Sequence, residues 1–455
     1  MNTGRRDFLR GAAVTSGAAL LGSALGLSTR DAFAGDEAAA THSLPAPEDS
    51  GIEHVIVVTM ENRSFDHVLG WLPGADGKQA GLQYVDKAGV PHPTHALAPD
   101  FTGCPHPDPD HSYTGGRVEY DAGQMDGFLR AGSNDVYSIG YYVQRDLPFY
   151  SALARNYTTL DHNFCSILAP TFPNRLFLHS ANTDRLTDSM DLTSLPTIWD
   201  RLAENGISGT YYFSNVPFLA LWGLKYLGIS ATYDQFLADA AGGTLPAVSF
   251  VDPRFTILDL DTANDDHPHT NVRRGDSFLA QTFHAVATGP GWPSTVFVVN
   301  FDEWGGFFDH VPPPRAAEPA GDPDIDRVNG KVLLGFRVPT ATVTASPFSR
   351  GNPQKPRVCH TVFDHTSILK LIEWRWNLQP LTARDASNDI GNLARALDFL
   401  NPNPMVPSLP SPPPPASHPC LHVLEQERAV GAPPRTAWAA LASSPRVDGW
   451  PVRKD

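Results

Sequence analysis

The sequence has few cysteines and, beyond its N-terminal segment, no long apolar run. Four cysteines occur in 455 residues, and none stands in a Cys-x-x-Cys pair or at a zinc-finger spacing, which argues against a thiolate metal site. They are Cys104, Cys165, Cys359 and Cys420, which could form up to two disulfides in any of three pairings. After residue 34, no stretch approaches the roughly 18 uninterrupted apolar residues that a membrane-spanning helix requires.

Positive charge is also scarce. The chain has 34 Lys and Arg against 49 Asp and Glu, which gives a formal net charge of −15. This excess argues against nucleic acid or an anionic membrane surface as a standing partner, and leaves at most a transient contact with a membrane surface. It is compatible with an acidic site that attracts a cation. A hydrophobic content of 41% with only 18% charged residues excludes a disordered chain and supplies a large core.

The first 34 residues are predicted to be an export signal rather than part of the fold. Thr3-Gly4-Arg5-Arg6-Asp7-Phe8-Leu9-Arg10 resembles the motif that the twin-arginine export machinery recognises. An uncharged segment over residues 11–28 and the small-x-small site Ala32-Phe33-Ala34 follow, as in a cleaved signal peptide. The alternative, a first transmembrane helix, is disfavoured by the many Gly and Ala residues. The sequence therefore predicts a periplasmic or secreted protein.

Composition divides the rest of the chain into three parts. Residues 35–50 are polar and predict a linker, and residues 51–400 predict one large folded domain. After residue 400 the sequence becomes NPNPMVPSLPSPPPPASHP, which predicts a proline-rich strap followed by a C-terminal tail over residues 401–455. No internal repeat is visible.

Two apolar runs are each followed directly by acidic residues. The run over residues 55–58 (VIVV) leads to Glu61 and Asn62, and the run over residues 294–301 (STVFVVNF) leads to Asp302 and Glu303. Such runs predict buried parallel strands, whose carboxyl ends meet at one edge of a sheet. Carboxylate and amide oxygens are the ligands that hard cations prefer. Either end alone could be an ordinary polar loop, but the two together predict a metal site.

A threonine is predicted at the start of a helix between these two strands. In the segment APTFPNRLFLHS, Pro173 suits the first turn of a helix, so Thr171 lies near its N-terminus. Unpaired N–H groups and the helix dipole favour an anion at that position. Arg175, one turn further on, could reach the same anion. The alternative is that Thr171 only caps the helix.

Two histidines stand beside acids in proline-bearing loops. His111 ends the sequence DPDH, and His267 belongs to DDHPH. Long loops in compact domains are often functional, so we expect both histidines to act at the site, although solvated turns would have the same composition.

Five segments occur in an order that resembles a known family. They are HVIVVTMENRSFDHVLG, DPDHSYTGGRVEYDAGQMDGF, APTFPNRLFLHSA, DDHPH and NFDEWGGFFDHVPPP. Together they resemble the bacterial phosphoesterase family, which includes phosphatidylcholine-type phospholipases C and a class of acid phosphatases. The resemblance extends over about residues 52 to 400, which would make residues 51–400 the phosphoesterase domain. It implies an α/β fold similar to alkaline phosphatases, with a mostly parallel central sheet and helices on both faces.

The resemblance also implies a role for each candidate residue. Glu61, Asn62, Asp302 and Glu303 match metal ligands, and Thr171 matches a metal-bound nucleophile that forms a phospho-enzyme. His111 and His267 match residues that bind the phosphoryl group or protonate the leaving group, and Arg175 is a further candidate for binding the substrate phosphate. One divalent ion is implied, and the oxygen ligands suit Ca²⁺, Mg²⁺ or Mn²⁺, with Zn²⁺ compatible because histidines are near.

Three functions remain as hypotheses at this stage. The first is an exported, metal-dependent phospholipase C that hydrolyses phospholipid phosphodiesters through a phosphothreonine. The second is an acid phosphatase acting on small phosphomonoesters; Thr171 favours the first, because the acid-phosphatase branch is associated with serine at this position. The third is a non-catalytic, exported metal-binding protein. Exposed apolar residues over 213–222 would suit a lipid substrate, whereas core packing is the alternative for this run.

Overall fold

The computed structural model describes residues 43–257, 261–339, 344–421 and 436–452. The predicted signal peptide and the first half of the linker lie outside these ranges, so the export prediction stays a prediction. Within the described part of the chain, no helix combines the length and apolar character needed to span a bilayer.

Strands and helices alternate along the domain. The strands are β1 (His54–Met60), β2 (Gln83–Val85), β3 (Pro91–Pro93), β4 (His95–Ala96), β5 (Gly140–Tyr141), β6 (Thr158–Leu160), β7 (Gly209–Phe213), β8 (Ser230–Thr232), β9 (Val248–Val251), β10 (Thr295–Phe301), β11 (Arg315–Ala317), β12 (Arg327–Val328), β13 (Lys331–Leu333), β14 (Thr344–Ala345) and β15 (Arg357–Cys359). The α-helices are α1 (Phe65–Leu69), α2 (Tyr113–Tyr120), α3 (Pro148–Asn156), α4 (Thr171–Ser180), α5 (Ile198–Glu204), α6 (Tyr233–Gly242), α7 (Val272–Ala287), α8 (Thr366–Trp376), α9 (Ala383–Ala386) and α10 (Ala437–Ala442).

A mixed sheet of eight strands lies at the centre of the domain. The strand order is β15-β6-β14-β10-β1-β9-β7-β8, and only β14 pairs antiparallel to its neighbours. Successive residues of β1 face opposite layers, as the two-residue period of a strand requires. Ile56 and Val58 pack with residues of α3 and α7, whereas Val55 and Val57 pack with residues of α4 and α8. The prediction of a mostly parallel sheet with helices on both faces is confirmed.

The register of the two central strands determines the position of the site. β1 and β10 pair in parallel over their whole length, from His54 opposite Thr295 to Met60 opposite Phe301. Both strands are rich in β-branched residues and almost completely buried, as expected for the middle of a parallel sheet. The next residues, Glu61 and Asp302, therefore emerge side by side at one edge of the sheet.

The described residues after 400 lie against the domain. Along the strap (residues 401–421), Ser277 of α7 donates a hydrogen bond to the carbonyl oxygen of Pro412 at 2.9 Å. The strap ends at a disulfide between Cys420 and Cys104, whereas Cys165 and Cys359 are buried thiols. In the tail (residues 436–452), Trp438 of α10 is fully buried and stacks on Phe255 with the ring centres 3.4 Å apart. The described strap and tail residues thus pack on the domain.

Candidate active site

The four strand-end residues lie together in the interior. Glu61, Asn62, Asp302 and Glu303 are all fully buried, and the backbone N–H of Asn62 donates to Oδ1 of Asp302 at 3.2 Å. Asn62 has a φ of 53°, a left-handed conformation that asparagine tolerates better than most residues. The turn after β10 passes so close that a Cβ on Gly305 would lie 2.2 Å from the carbonyl oxygen of Asn62. Glycine is therefore required where the two strand ends meet.

Three oxygens in this group make no hydrogen bond to any described residue. They are Oε2 of Glu61, Oδ1 of Asn62 and Oε1 of Glu303, and all three are buried. Buried polar atoms are normally paired, because an unpaired one costs free energy. Three unpaired oxygens from adjacent strand ends are the donor set that a hard divalent cation prefers. The residues present therefore fit the metal that the sequence predicts.

The ionisation of the acids points the same way. Burial, together with the neighbouring charge of Asp302, raises the pKa of Glu61 well above its usual range. Burial also raises the pKa of Glu303 to about 8. Carboxylates crowded together in a low-dielectric interior destabilise one another as anions, and a cation among them reverses this effect.

Arg175 does not face an anion-binding position. Its guanidinium is fully buried, and Nε lies 3.0 Å from both Oε1 of Glu61 and Oδ2 of Asp302. Nη1 donates to Asp252, the residue that follows β9, at 2.9 Å. The predicted role in binding the substrate phosphate therefore needs correction, because every nitrogen of the guanidinium already contacts a carboxylate. The geometry makes Arg175 the counter-charge of the strand-end acids.

Thr171 begins α4, as predicted from Pro173. The helix is buried along its whole length, and its preceding residue, Pro170, has no side chain that can accept a hydrogen bond. The Thr171 side chain is 2% exposed, and its hydroxyl makes no hydrogen bond to another described residue. Arg175 lies one turn along the same helix face and ties that turn to Glu61 and Asp302. Thr171 is thereby placed on the side of α4 that faces the strand ends.

The two predicted histidines meet above the strand ends. The rings of His111 and His267 are 6.0 Å apart, and Nε2 of His111 lies 3.3 Å from Nδ2 of Asn62. Nδ1 of His111 donates to the carbonyl of Pro109, so Nε2 is the nitrogen that faces the site. Burial lowers the pKa of His111, but the carboxylates of Glu303 and Asp108 raise it to about 10.

Asp108 completes a second group of possible ligands. Its Oδ2 lies 3.8 Å from Nε2 of His267, and one ligand atom each from Asp108, His111 and His267 lie within 4.8 Å of one another. Among the described residues, one other trio of this kind occurs, formed by Asp66, Asp309 and His310, and Arg337 already pairs with both of its acids.

The other polar residues of the first loop support its shape. Arg63 donates to the carbonyl of Asp266 at 2.8 Å, and Ser64 donates to the carbonyl of Phe308 at 2.6 Å while capping α1. Asp66 accepts from the backbone N–H of His310 at 2.9 Å, and His67 contacts the carbonyl of Gly140 through Nδ1 at 2.8 Å. These four residues are therefore held by contacts within the fold, whereas Glu61 and Asn62 of the same segment face the site.

Sequence patterns did not indicate Asp188. This half-buried acid lies in the loop after α4, and its Oδ1 accepts a hydrogen bond from the N–H of Phe172 at 2.7 Å. Burial raises the pKa of Asp188 to about 6. No periodicity or motif marks the position, since its closeness to Thr171 arises only from the return of the loop to the start of α4.

The apolar run over residues 213–222 belongs to the core. Phe218, Leu219, Ala220 and Leu221 are fully buried, and the ring of Phe218 packs against Trp438 and Phe172. The run therefore does not form an exposed apolar rim. It packs in the core, which was the alternative interpretation of the sequence.

The fold and the site together define an α/β protein with a polar site at the carboxyl ends of its parallel strands. The site combines buried oxygen ligands, a threonine at a helix start and two histidines. The chain belongs to the Phosphoesterase family, whose model matches residues 52–379. It is 34% identical to phospholipase C B of Mycobacterium tuberculosis over 79% of this chain and 80% of that protein.

Other relatives lead to the same class. Non-specific phospholipase C1 of Arabidopsis thaliana is 33% identical over 76% of this chain and 70% of that protein. Among solved structures, a protein of the alkaline phosphatase superfamily from Vibrio parahaemolyticus aligns with 77% of this chain and 72% of its own, at 10% identity and a TM-score of 0.36. A similarity of that size carries no functional argument. The family and the curated relatives identify the protein as a hydrolase acting on phosphoric ester bonds.

Proposed function

We propose that this phosphoesterase is an exported, metal-dependent phosphodiesterase of the phospholipase C type that hydrolyses phospholipids through a phosphothreonine at Thr171. One observation carries the proposal: Arg175 links the first turn of α4 to both acidic strand ends. The nucleophile candidate and the unpaired oxygens of Glu61 and Glu303 therefore belong to one site. The named activity of the relatives in Mycobacterium tuberculosis and Arabidopsis thaliana supports the choice of substrate.

Glu61, Asn62, Asp302 and Glu303, with the hydroxyl of Thr171, would hold one divalent ion, and their oxygen atoms favour Ca²⁺, Mg²⁺ or Mn²⁺ over Zn²⁺. When bound, such an ion lowers the pKa of the threonine hydroxyl and offsets charge on the phosphoryl oxygens. The strand ends fix these ligands before substrate arrives, because their backbones are held by the sheet register.

The chain's own residues perform two transfers. Oγ1 of Thr171 gives up its proton to water and attacks phosphorus, a P–O bond forms, and the bond to the diacylglycerol oxygen breaks. His111 or His267 supplies the proton that this leaving oxygen takes up. Water then cleaves the phosphothreonine, returns a proton to Thr171 and releases the phosphorylated headgroup. The helix dipole at the start of α4 stabilises negative charge on the phosphoryl oxygens during both steps.

The test uses the mature chain with phosphatidylcholine vesicles, bis(p-nitrophenyl) phosphate and p-nitrophenyl phosphate as substrates. We expect the diesters to be cleaved and Thr171→Ala to lower kcat by about a thousandfold or more, because the nucleophile is lost. Thr171→Ser should retain a measurable part of the activity. Thr244→Ala, which removes an exposed threonine hydroxyl far along the chain, is the control and should behave as wild type.

Three further results would decide against the proposal. If the wild-type chain cleaves no phosphodiester but cleaves the monoester, the protein is a phosphatase of the acid-phosphatase type. If it cleaves neither substrate while elemental analysis finds a bound metal, it is a binding protein. Acid quenching with ³²P-labelled substrate should trap label on wild type and on Thr171→Ser, and label retained by Thr171→Ala would exclude Thr171 as the nucleophile.

A further inference from the structure

A negative charge occupies the start of α4, the place where a phosphoryl oxygen would be expected. Oδ1 of Asp188 lies 2.7 Å from the N–H of Phe172, the residue next to Thr171. Free N–H groups at a helix N-terminus attract anions, and phosphate groups bind there in many proteins. An acid at this point therefore lies beside the nucleophile candidate and competes with the helix's own attraction for anions.

Asp188 is held firmly in this position. Arg185 donates to the carbonyl of Ser189 at 2.6 Å and to the carbonyl of Asp191 at 2.9 Å. From the tail, Arg446 donates to the carbonyl of Met190 at 2.8 Å. Two arginines therefore fix the backbone directly after Asp188, which keeps this residue beside the start of α4.

The surroundings contain little free positive charge to offset this acid. Arg175 is already shared among Glu61, Asp252 and Asp302. The positive charge of His111, which also acts on Asp188, is shared with Glu303 and Asp108. A divalent ion at the strand ends would be surrounded by carboxylates of its own. The total charge that the site tolerates on a substrate is therefore limited, and each further negative charge meets Asp188 directly.

Phosphate esters differ in the charge that they bring. At pH 8 a phosphodiester is a monoanion, whereas a phosphomonoester, with a second pKa of about 6, is a dianion. At an effective dielectric constant of about 20, the repulsion between two unit negative charges several ångströms apart weakens binding roughly tenfold or more. Asp188 therefore penalises the monoester more than the diester.

We propose that Asp188 is a specificity-determining residue that selects monoanionic phosphodiesters over dianionic phosphomonoesters. This inference rests on the proposed function, because it assumes that Thr171 attacks phosphorus at the start of α4. A purely structural role is the competing explanation, since Asp188 also caps a helix whose preceding residue is Pro170. An asparagine separates the two explanations, because its side-chain oxygen accepts the same hydrogen bond without the charge.

The experiment compares four proteins at pH 8: wild type, Asp188→Asn, Asp188→Ala and Asp191→Asn. The last removes an exposed acid from the same loop and serves as the charge-matched control. The readout is the ratio of kcat/KM for p-nitrophenyl phosphate to kcat/KM for bis(p-nitrophenyl) phosphate. Because this is a ratio within one protein, a partly unfolded sample does not change it.

We expect Asp188→Asn to raise this ratio about tenfold or more, and Asp191→Asn to leave it within about twofold of wild type. The inhibition constant for inorganic phosphate should fall by a similar factor in Asp188→Asn, which tests binding without turnover. Asp188→Ala should show the same change of ratio with a lower melting temperature. If Asp188→Asn keeps the wild-type ratio while Asp188→Ala only melts earlier, Asp188 is a helix cap and the inference is wrong. If wild type cleaves no diester at all, the proposed function fails instead.

Discussion

Replacing Arg175 with methionine distinguishes the role expected from sequence from the role found in the structure. In the structure the guanidinium contacts Glu61, Asp252 and Asp302, and it lies 4.8 Å from the ring centres of both Phe255 and Trp438. Methionine fills a similar volume but carries no charge. The substitution therefore leaves three carboxylates buried around an apolar side chain.

The expected cost is large. Removing one partner of a buried ion pair costs about 3–5 kcal/mol, because the other charge stays buried without a partner. Arg175→Met should therefore lower the free energy of unfolding by at least about 3 kcal/mol in the presence of a chelator. With a urea m value of about 4 kcal/mol per M, expected for a chain larger than small model proteins, the unfolding midpoint would fall by about 0.75 M or more.

A divalent ion should restore part of this loss. Arg175 and the ion are both cations beside Glu61 and Asp302, so removing the arginine strengthens the attraction of these acids for the ion. A ligand that binds the folded state more tightly stabilises it more. Ca²⁺, Mn²⁺ or Mg²⁺ at five times its dissociation constant for wild type should stabilise wild type by about 1 kcal/mol. The same concentration should stabilise Arg175→Met by more. We therefore expect the difference in the free energy of unfolding between the two proteins to shrink when the metal replaces the chelator.

The assay is urea unfolding followed by tryptophan fluorescence, with and without chelator. Arg384→Met is the matched control, because Arg384 is also fully buried and pairs with Asp364 at 2.9 Å, but not with any candidate metal ligand. It should lose similar stability in both conditions. Equal losses for Arg175→Met in both conditions, or a loss below about 1 kcal/mol, would refute the counter-charge role. A raised KM for substrate with unchanged stability would restore the role in binding phosphate.

Two further predictions concern parts of the fold outside the site. The disulfide joins residues 316 positions apart, so the double variant Cys104→Ser, Cys420→Ser should have a free energy of unfolding in urea that is about 2–5 kcal/mol lower. Reduced wild type should behave in the same way, and an unchanged unfolding midpoint would contradict this prediction. Burial lowers the pKa of His310, but hydrogen bonds to Asp66 and Asp76 raise it to about 9, above the ordinary value of 6.5. Its contribution to stability is therefore complete below about pH 6.5 and lost as pH rises through 9. His310→Asn should make the unfolding midpoint less dependent on pH between these values. An unchanged slope of midpoint against pH would exclude His310 as the cause.

The parts of the fold that were predicted correctly have strong local signals. A run of β-branched residues with no polar interruption favours a buried parallel strand, and both β1 and β10 formed where such runs occur. Pro173 placed Thr171 at the first residue of α4 because proline is tolerated in a first helical turn. The meeting of Glu61 and Asp302 then followed from strand geometry alone, since neighbouring parallel strands end at the same edge.

What could not be predicted depends on contacts between distant segments. A helical spacing places Arg175 on the same face as Thr171, but the spacing does not say whether that face contacts a phosphate or the carboxylates of Asp302 and Glu61. Likewise, nothing local marks Asp188, whose partner lies 16 residues earlier in the chain. The choice of Cys104 and Cys420 among the three possible disulfide arrangements also depends on where the strap ends.

The site also depends on contacts with residues after position 400, which lie beyond the family match at residues 52–379. Trp438 packs on the guanidinium of Arg175, and Arg446 fixes the loop that carries Asp188. Cys420 is bonded to Cys104, a few residues before the loop of His111.

Each of these three contacts holds a different part of the site in place: Arg175, the loop of Asp188 or the loop of His111. Water would screen the ion pairs of Arg175 if the ring of Trp438 did not cover them, and screened pairs are much weaker than buried ones. The loops of Asp188 and His111 have no regular secondary structure at those residues, so their positions depend on such tethers. The strap and tail therefore help to determine the electrostatics of the site, although they contribute none of its candidate ligands.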